Sequence, residues 1–196
     1  MQHRFFALIS RMRYIGRWGL MRNSMPENVQ EHSHMVAVLT HALGLIRRDV
    51  FGRPCEVDRL VTAALYHDAS EILTGDLPTP IKYHDANIRT AYKQVEQQAC
   101  YRLINMIPVE LRDSLSPIIL MEVGDDGALL IKAADKLAAL IKCIEERKAG
   151  NLEFSSAEVQ TRRALQALHL PEADWFMERL LPAFECNLDE LERIEA

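Results

Sequence analysis

The segment AALYHDASE, residues 63–71, is the most informative stretch of this sequence for both the fold and the site. His67 and Asp68 follow an apolar run there, and a buried polar or charged group is costly unless it is paired or bound to a metal. Two further candidates lie in other apolar segments, His32 in EHSH and Asp135 in KAADKL. Side chains from separate helices can converge on one divalent cation in the core of a bundle. Taken alone, Asp135 is better explained as the ion-pair partner of a neighbouring lysine.

Apolar residues recur at helical spacing on both sides of this segment, and no stretch alternates as a half-buried strand does. The sequence therefore predicts an all-α fold, a single-domain helical bundle over residues 1–196. The predicted helices cover about residues 2–15, 28–46, 56–72, 85–106, 109–121, 127–149, 155–169 and 172–194.

Local signals predict where several helices begin and end. Asn28 is an N-cap candidate with a capping-box partner at Glu31, and the run SSAE at 155–158 predicts a second capping box. The segment GDLPTP, residues 75–80, is predicted to be a non-helical loop because each proline lacks an N–H and constrains the residue before it. Pro182 is expected to kink the last helix.

Composition limits the possible functions. The chain has 196 residues, 48% of them hydrophobic, and a formal net charge of -5. A nucleic-acid polymer is not expected as a partner, because polyanion binding normally requires a basic excess. No apolar run approaches the roughly 20 residues of a membrane span, so no membrane partner and a cytoplasmic location are expected. The four cysteines are far apart and indicate neither a zinc knuckle nor a disulfide framework.

The order of the candidate ligands forms a pattern of its own. His32, then the pair His67-Asp68, then a distant Asp135 in an all-helical chain resembles the signature of the HD superfamily. Further segments are similar to the bacterial 5′-deoxynucleotidase family over nearly the whole chain: Arg17-Trp18, Glu31-His32-Ser33, Tyr66 to Glu71, and Thr74 to Pro80.

This resemblance implies an enzyme that hydrolyses deoxyribonucleoside 5′-monophosphates and acts as a cytoplasmic homodimer. It also implies one divalent metal ion held by His32, His67, Asp68 and Asp135. Imidazole and carboxylate ligands together suit cobalt, manganese, iron or zinc better than calcium. Cobalt is the expected ion, with manganese, copper and zinc as alternatives.

The loop GRWG, residues 16–19, supplies two substrate-binding candidates. Arg17 could hold a phosphate with its planar guanidinium, and Trp18 could cover the sugar or the base. Without the motif, a solvated arginine and a core tryptophan would be the better explanations. The full set expected to contact substrate is Arg17, Trp18, His32, Asp68, Asp76, Leu77, Pro78, Thr79 and Asp135, of which Asp76 and Thr79 match the family segment on the sugar side of the pocket.

Glu71 is predicted to be a catalytic residue, together with Arg17, which would hold the phosphate, and Asp76. It follows His67 by four residues, so one continuous helix would carry both side chains on the same face. That position places a carboxylate beside the metal without making it a ligand, and favours a general acid/base role for Glu71 or Asp76. An isolated glutamate at a helix end would instead be read as solvent-exposed.

Two other functions remain open at this stage. A phosphodiesterase or nucleoside triphosphate hydrolase could use the same scaffold, although a triphosphatase is expected to bring more basic residues to its site. A non-catalytic nucleotide-binding regulator with an inert metal site is the alternative from another class. Phosphate release distinguishes an enzyme from a regulator.

Overall fold

The computed structural model describes residues 3–82 and 85–193, and within these ranges the chain is helical with no β-strand. One isolated antiparallel bridge joins Gly16 and Asn28. The α-helices are α1 (Phe5–Ile9), α2 (Val29–Leu45), α3 (Val57–Leu65), α4 (Glu71–Thr74), α5 (Thr79–Lys82), α6 (Ala86–Ile104), α7 (Val109–Ile119), α8 (Gly124–Lys148), α9 (Ser155–Gln166), α10 (Pro171–Arg179) and α11 (Leu188–Leu191). Short 3-10 helices cover Ser10–Tyr14, Leu152–Phe154 and Leu181–Glu185, and a π-helical turn covers Ile46–Val50.

The long helix α8 is the centre of the main hydrophobic core. It packs against α2, α3 and α9, so apolar side chains from four helices bury one another. Leu137 and Leu140 of α8 and Leu43 of α2 have no exposed surface. Burial of such side chains is the main favourable contribution to folding, about 1.5–3 kcal/mol for each large apolar side chain. The all-α fold predicted from the periodicity is confirmed.

A smaller core lies around the turn that follows α3. Phe5 of α1 packs there with Ala69, and α6 and α7 contribute Leu103 and Ile119. Ala69 belongs to the turn that carries His67 and Asp68, so this second core fixes one side of the candidate site. No helix in the described ranges is long and apolar enough to cross a membrane.

The two predicted capping boxes have different outcomes. The Asn28 side chain accepts hydrogen bonds from the N–H groups of Gln30 and Glu31, and the Glu31 carboxylate accepts one from the Asn28 N–H, which confirms that prediction. The second is wrong, because α9 begins at Ser155 directly after a 3-10 turn and no side chain caps it. The preceding turn already orients the chain for the helix.

The predicted third helix, residues 56–72, is interrupted. Helix α3 ends at Leu65, and a turn over residues 66–70 precedes α4. The Ala64 carbonyl accepts from the backbone N–H of His67 at 3.4 Å and lies 2.8 Å from His67 Nδ1, so it does not make the regular helical bond to Asp68. Side-chain competition for a backbone carbonyl is a known cause of helix termination.

Proline produces two further departures from the predicted elements. The segment 75–80 is predicted to be non-helical, but α5 begins at Thr79 and Pro80 lies in its first turn, where a missing N–H costs nothing. The predicted final helix over 172–194 is not merely kinked at Pro182. It divides into α10, a 3-10 turn that begins at Leu181, and the short α11.

Candidate active site

Three separate parts of the fold supply the four candidate metal ligands. His32 lies in the first turn of α2, His67 and Asp68 lie in the turn between α3 and α4, and Asp135 lies near the middle of α8. The imidazole of His32 is completely buried, and the other three side chains are half-buried. The packing of α2 and α3 on α8 therefore brings residues that are far apart in sequence to one point.

Three of these side chains, His32, His67 and Asp135, are close enough to share one ion, and Asp68 lies beside both histidines. His32 Nε2 lies 3.0 Å from Asp135 Oδ1 and 3.7 Å from Asp68 Oδ2. His67 Nε2 lies 3.1 Å from Asp68 Oδ2. Donor atoms of His32, His67 and Asp135 all lie within 4.8 Å of one another. Two imidazoles and one carboxylate grouped in this way, with the Asp68 carboxylate beside them, are a donor set that a divalent transition metal can use.

The orientation of His67 also fits metal binding. Its Nδ1 lies 2.8 Å from the Ala64 carbonyl oxygen, which can only accept a hydrogen bond. Nδ1 therefore carries a proton, and Nε2 is the ring nitrogen that faces Asp68, where a metal ion would take the place of the Nε2 proton. Metal-binding histidines commonly have this kind of partner on the second ring nitrogen, because it fixes the tautomer and the ring direction.

Charges within the cluster shift the pKa values of its members. Burial is the largest single influence on His67 and opposes its charged form, but the charge and hydrogen bond of Asp68, with the charge of Asp135, together outweigh it and raise the pKa of His67 to about 9. Burial likewise opposes ionisation of Asp68 and Asp135, yet the neighbouring imidazoles hold the pKa of each carboxyl below its usual range. The carboxylates are thus ionised and available as ligands.

Arg17 and Trp18 lie beside the cluster, on the loop before α2. Arg17 Nη1 is 3.5 Å from Asp68 Oδ2, and Arg17 Nε donates a hydrogen bond to Glu27 Oε2 at 3.1 Å. The indole Nε1 of Trp18 donates to the same Glu27 oxygen at 2.8 Å. The Trp18 ring packs against Phe154, with ring centroids 5.2 Å apart. A guanidinium and a rigid aromatic are therefore held side by side at the edge of the cluster.

Glu71 is a buried acid in an unusual environment. Only 5% of its surface is exposed, and no residue in the described part of the chain hydrogen-bonds to its Oε2. Burial, followed by the negative charges of Asp68 and Asp76, raises the pKa of Glu71 to about 9. The raised pKa favours the neutral acid over the carboxylate at this position. Burial also raises the pKa of Asp76, although Arg17 acts in the opposite direction.

A cavity of about 760 Å³ opens beside these groups. Arg17, Trp18, Asp76, Pro78 and Asp135 line one side of it, so five of the predicted substrate-binding residues share this space. That volume is within the range of small-molecule pockets. Leu77 is half-buried and does not line the cavity, and the side chain of Thr79 lies outside the described part of the structure.

The structure adds residues that the motif analysis did not identify. Glu27 accepts hydrogen bonds from both Arg17 and Trp18. Helix α9 lines the far side of the cavity with Ser156, Gln160 and Thr161. Only the polar 4-residue spacing of Ser156 and Gln160 could have indicated such a face. Nothing in the sequence indicates that Glu27 and Arg17, ten positions apart, lie opposite each other.

The helical bundle has the fold of solved HD-domain phosphohydrolases. A solved HD-domain phosphohydrolase from Listeria innocua has a TM-score of 0.79 at 22% identity, covering 95% of this chain and 90% of that one. The cyanophage S-2L HD phosphohydrolase DatZ, solved with dA and one catalytic Zn²⁺ ion, has a TM-score of 0.62 at 22% identity, covering 93% and 99%. At these identities the likeness shows the fold alone.

Sequence comparison gives the particular family. The family model described as 5′-deoxynucleotidase YfbR-like matches residues 4–184, and the chain belongs to this family. It is 46% identical over 191 residues to the 5′-deoxynucleotidase YfbR of Shigella boydii, covering 97% of this chain and 96% of that protein. The Escherichia coli K12 protein of the same name has the same identity and coverage. The resemblance and the enzyme class predicted from the sequence are confirmed, whereas the residue roles remain predictions.

Proposed function

We propose that this chain is a metal-dependent 5′-nucleotidase that hydrolyses deoxyribonucleoside 5′-monophosphates to deoxyribonucleosides and phosphate. The observation that carries the proposal is the convergence of His32, His67, Asp68 and Asp135 next to Arg17, at the edge of a cavity large enough for a nucleotide. Membership of the YfbR-like family, whose relatives are named 5′-deoxynucleotidases, supports the same activity.

The cofactor is one divalent metal ion, held by those four residues. Bound there, it would lower the pKa of a water molecule and neutralise charge on the phosphoryl oxygens. Cobalt is our proposal from the family resemblance, and manganese, copper and zinc are the alternatives. The catalytic Zn²⁺ ion of the cyanophage relative supports a divalent ion in this fold, without distinguishing among these metals.

The protein residues would bind the phosphate and move the proton. The outer nitrogens of Arg17 face the cluster, where they can hold phosphate oxygens with the planar geometry that guanidinium provides. Glu71, protonated at neutral pH, would donate its proton to the 5′-oxygen as the P–O bond breaks. A water molecule would attack the phosphorus, and one of its protons would return to Glu71, so the acid is restored and no covalent enzyme intermediate is needed. Asp76 faces the same charges and is the second candidate for proton transfer.

Trp18 would select the sugar. Its ring is fixed on one side by Phe154 and at its nitrogen by Glu27, so it cannot turn away from a substrate in the cavity. A rigid aromatic can exclude a 2′-hydroxyl sterically or leave it without a hydrogen-bond partner. The cost of such a buried, unpaired hydroxyl is about 1–3 kcal/mol, which corresponds to a roughly 10- to 100-fold preference for the deoxy sugar.

Phosphate release from a panel of nucleotides tests this function. The metal-loaded enzyme should release phosphate from deoxyribonucleoside monophosphates faster than from ribonucleoside monophosphates, and chelation should abolish the reaction. Release of pyrophosphate or triphosphate from dNTPs would favour a triphosphate hydrolase instead, and cleavage of diesters a phosphodiesterase. Absence of any turnover with all four metals would favour the nucleotide-binding regulator.

The family resemblance also implies a homodimer in the cytoplasm, and both stay proposals. Light scattering of the purified enzyme after size-exclusion chromatography gives its mass directly, and a value near 22.4 kDa would contradict the dimer.

A further inference from the structure

The loop between η1 (the 3-10 helix Ser10–Tyr14) and α2 is closed at its base by backbone pairing. Gly16 and Asn28 form an antiparallel bridge, and the Arg17 N–H donates to the Glu27 carbonyl at 2.9 Å. The Val29 N–H donates to the Ile15 carbonyl, also at 2.9 Å. This pairing sets residue 17 opposite residue 27. It places the Glu27 side chain beside the two residues proposed to bind substrate.

One oxygen of Glu27 holds both of those residues. Glu27 Oε2 accepts from Arg17 Nε at 3.1 Å and from Trp18 Nε1 at 2.8 Å. Its second oxygen lies 3.9 Å from Nδ1 of His32, a buried nitrogen with no hydrogen-bond partner in the described part of the structure. The Glu27 side chain is 16% exposed. A single carboxylate therefore lies between the arginine, the tryptophan and a candidate metal ligand.

The Arg17 contact leaves the opposite edge of the guanidinium available. Glu27 Oε2 accepts a hydrogen bond from Arg17 Nε, while Arg17 Nη1 lies 3.5 Å from Asp68 Oδ2. A guanidinium has five donors in a fixed plane, so fixing Nε fixes the direction of the terminal nitrogens. Glu27 can thus orient the phosphate-binding edge of Arg17 without occupying it.

The Trp18 contact restrains a strained residue. Its φ of 60° lies in the left-handed region, which is a genuine outlier for a bulky side chain. Such conformations persist only where the surroundings enforce them, and they concentrate at functional sites. The Met21 N–H donates to the Trp18 carbonyl at 2.8 Å, Phe154 supports the ring, and Glu27 holds the indole nitrogen. Of these three restraints, the Glu27 bond alone fixes the polar end of the ring.

We propose that Glu27 is the positioning residue that aligns Arg17 with the phosphate and Trp18 with the sugar, and thereby sets the preference for a deoxyribose. This inference rests on the proposed function, because it assigns Arg17 and Trp18 the substrate contacts given above. Glu27 itself touches no reacting atom. Its effect is carried entirely through the two side chains it holds.

Two substitutions separate its two contacts. Glu27→Ala removes both, so kcat/KM for dAMP should fall about tenfold or more, and the ratio of dAMP over AMP should narrow by about tenfold. Glu27→Gln keeps an oxygen that can accept from Trp18 but loses the ion pair with Arg17. It should lower kcat/KM for both nucleotides while keeping most of the ratio. Glu31→Gln is the matched control, because this carboxylate caps α2 by accepting a hydrogen bond from the Asn28 N–H.

A spectroscopic measurement tests the geometry without turnover. The chain contains two tryptophans, so an amide-and-indole ¹H–¹⁵N spectrum of the zinc-loaded protein shows two indole signals. Trp18→Phe identifies one of them. Glu27→Ala should move that signal upfield, since a charge-assisted hydrogen bond is lost, and should leave the Trp175 signal in place. Melting temperatures of the variants, compared with Glu31→Gln, identify any general loss of structure.

The outcomes separate this proposal from the proposed function. The positioning role is overturned if the wild-type enzyme prefers dAMP and a folded Glu27→Ala variant keeps the same ratio of kcat/KM for dAMP over AMP. The proposed function would then stand. An unmoved Trp18 indole signal would overturn the positioning role as well. If the wild-type enzyme releases no phosphate from any nucleotide, the function fails, and the ratio of Kd values for dAMP and AMP measured by calorimetry then decides whether Glu27 controls sugar discrimination.

Discussion

Two buried glutamates show how differently one side chain can be used in the same fold. Glu146 of α8 is completely buried, and Glu71 at the start of α4 is 5% exposed. Four donors surround the Glu146 carboxylate: the Lys142 ammonium, the Asn151 amide, and the N–H groups of Ser24 and Met25. Glu71 instead faces Asp68 and Asp76, and its Oε2 has no hydrogen-bond partner in the described residues.

The consequence is a pKa shift in opposite directions. Burial works against ionisation of Glu146, but the bonds from Lys142 and Asn151 outweigh it and hold its pKa below the usual range. Burial and neighbouring carboxylates raise the pKa of Glu71 to about 9. A buried acid that is saturated with donors is a structural element. One with an unpartnered oxygen among like charges, such as Glu71, is the acid that we propose for proton transfer.

The structural cluster supports the site from a distance. Glu146 and Asn151 hold the backbone of Arg22, Ser24 and Met25, within the same loop that carries Arg17 and Trp18. Lys142 also donates to the Met25 carbonyl, and its ammonium lies 5.8 Å from the centre of the Phe154 ring on which Trp18 packs. The hydrogen bonds around Glu146 therefore fix the part of the loop from Arg22 to Met25. The two proposed substrate contacts, Arg17 and Trp18, lie nearer the start of the same loop.

The largest expected effect tests whether the His-Asp cluster needs a metal. Asp135→Ala should lower kcat by about 10³-fold or more, because a bound metal contributes several kcal/mol to transition-state stabilisation. Metal analysis of the purified variant should show occupancy falling with activity. Asp125→Ala, an exposed aspartate in the first turn of the same helix, is the control and should keep both. Full activity in Asp135→Ala would remove it from the ligand set.

The second prediction concerns Glu71 as a proton donor. Glu71→Gln preserves the shape of the neutral acid but cannot transfer a proton, so kcat should fall about 10²- to 10⁴-fold. Metal content should stay at the wild-type level, which distinguishes this variant from Asp135→Ala. Loss of metal together with activity would instead make Glu71 a ligand. It would also break the contrast with Glu146.

The third prediction compares how much Glu146 and Glu71 contribute to the free energy of unfolding. Glu146→Gln leaves the buried Lys142 ammonium without its counter-charge and should cost about 3–5 kcal/mol in the free energy of unfolding. Glu71→Gln should cost much less, because the native side chain is already neutral at pH 7. Chemical denaturation of both variants in a chelating buffer gives the two values. Equal losses would contradict the division into structural and reactive acids.

The same pair should differ in pH dependence. The folded-state pKa of Glu146 is depressed, so its stabilising contribution is present above 4.5, its ordinary value, and is lost as the pH falls through the folded value. The folded-state pKa of Glu71 is raised, so its contribution is complete below 4.5 and is lost as the pH rises through about 9. Glu146→Gln should therefore flatten the acid side of the stability profile, and Glu71→Gln the neutral-to-alkaline side.

The sequence predicts the parts of this molecule that depend on local pattern or on a motif. The helical periodicity and the Asn28 capping box are local patterns. The ordered set His32, His67-Asp68, Asp135 is a motif, and it predicts which residues the fold brings together. The turn that carries His67 was not predictable from periodicity, because a side chain competes for the Ala64 carbonyl. Glu71 consequently reaches the site after a turn, not along one helix face. Glu27 and Glu146 depend on tertiary pairing, which single-sequence patterns do not contain.

The smallest expected effect concerns Trp18, whose ring is held by Glu27 and by Phe154. Arg17 reads the phosphate that every nucleotide carries, so Arg17→Ala should lower kcat/KM for dAMP and AMP about equally. Trp18→Ala should instead narrow the ratio between them, by up to the roughly 10- to 100-fold preference that an unpaired 2′-hydroxyl provides. The base should matter less, because stacking on an aromatic ring tolerates every base. Steady-state kinetics with both nucleotides on both variants decide the point. If the ratio of kcat/KM for dAMP over AMP is unchanged in Trp18→Ala, Trp18 has no part in sugar selection. The selection would then rest on the segment Asp76 to Thr79.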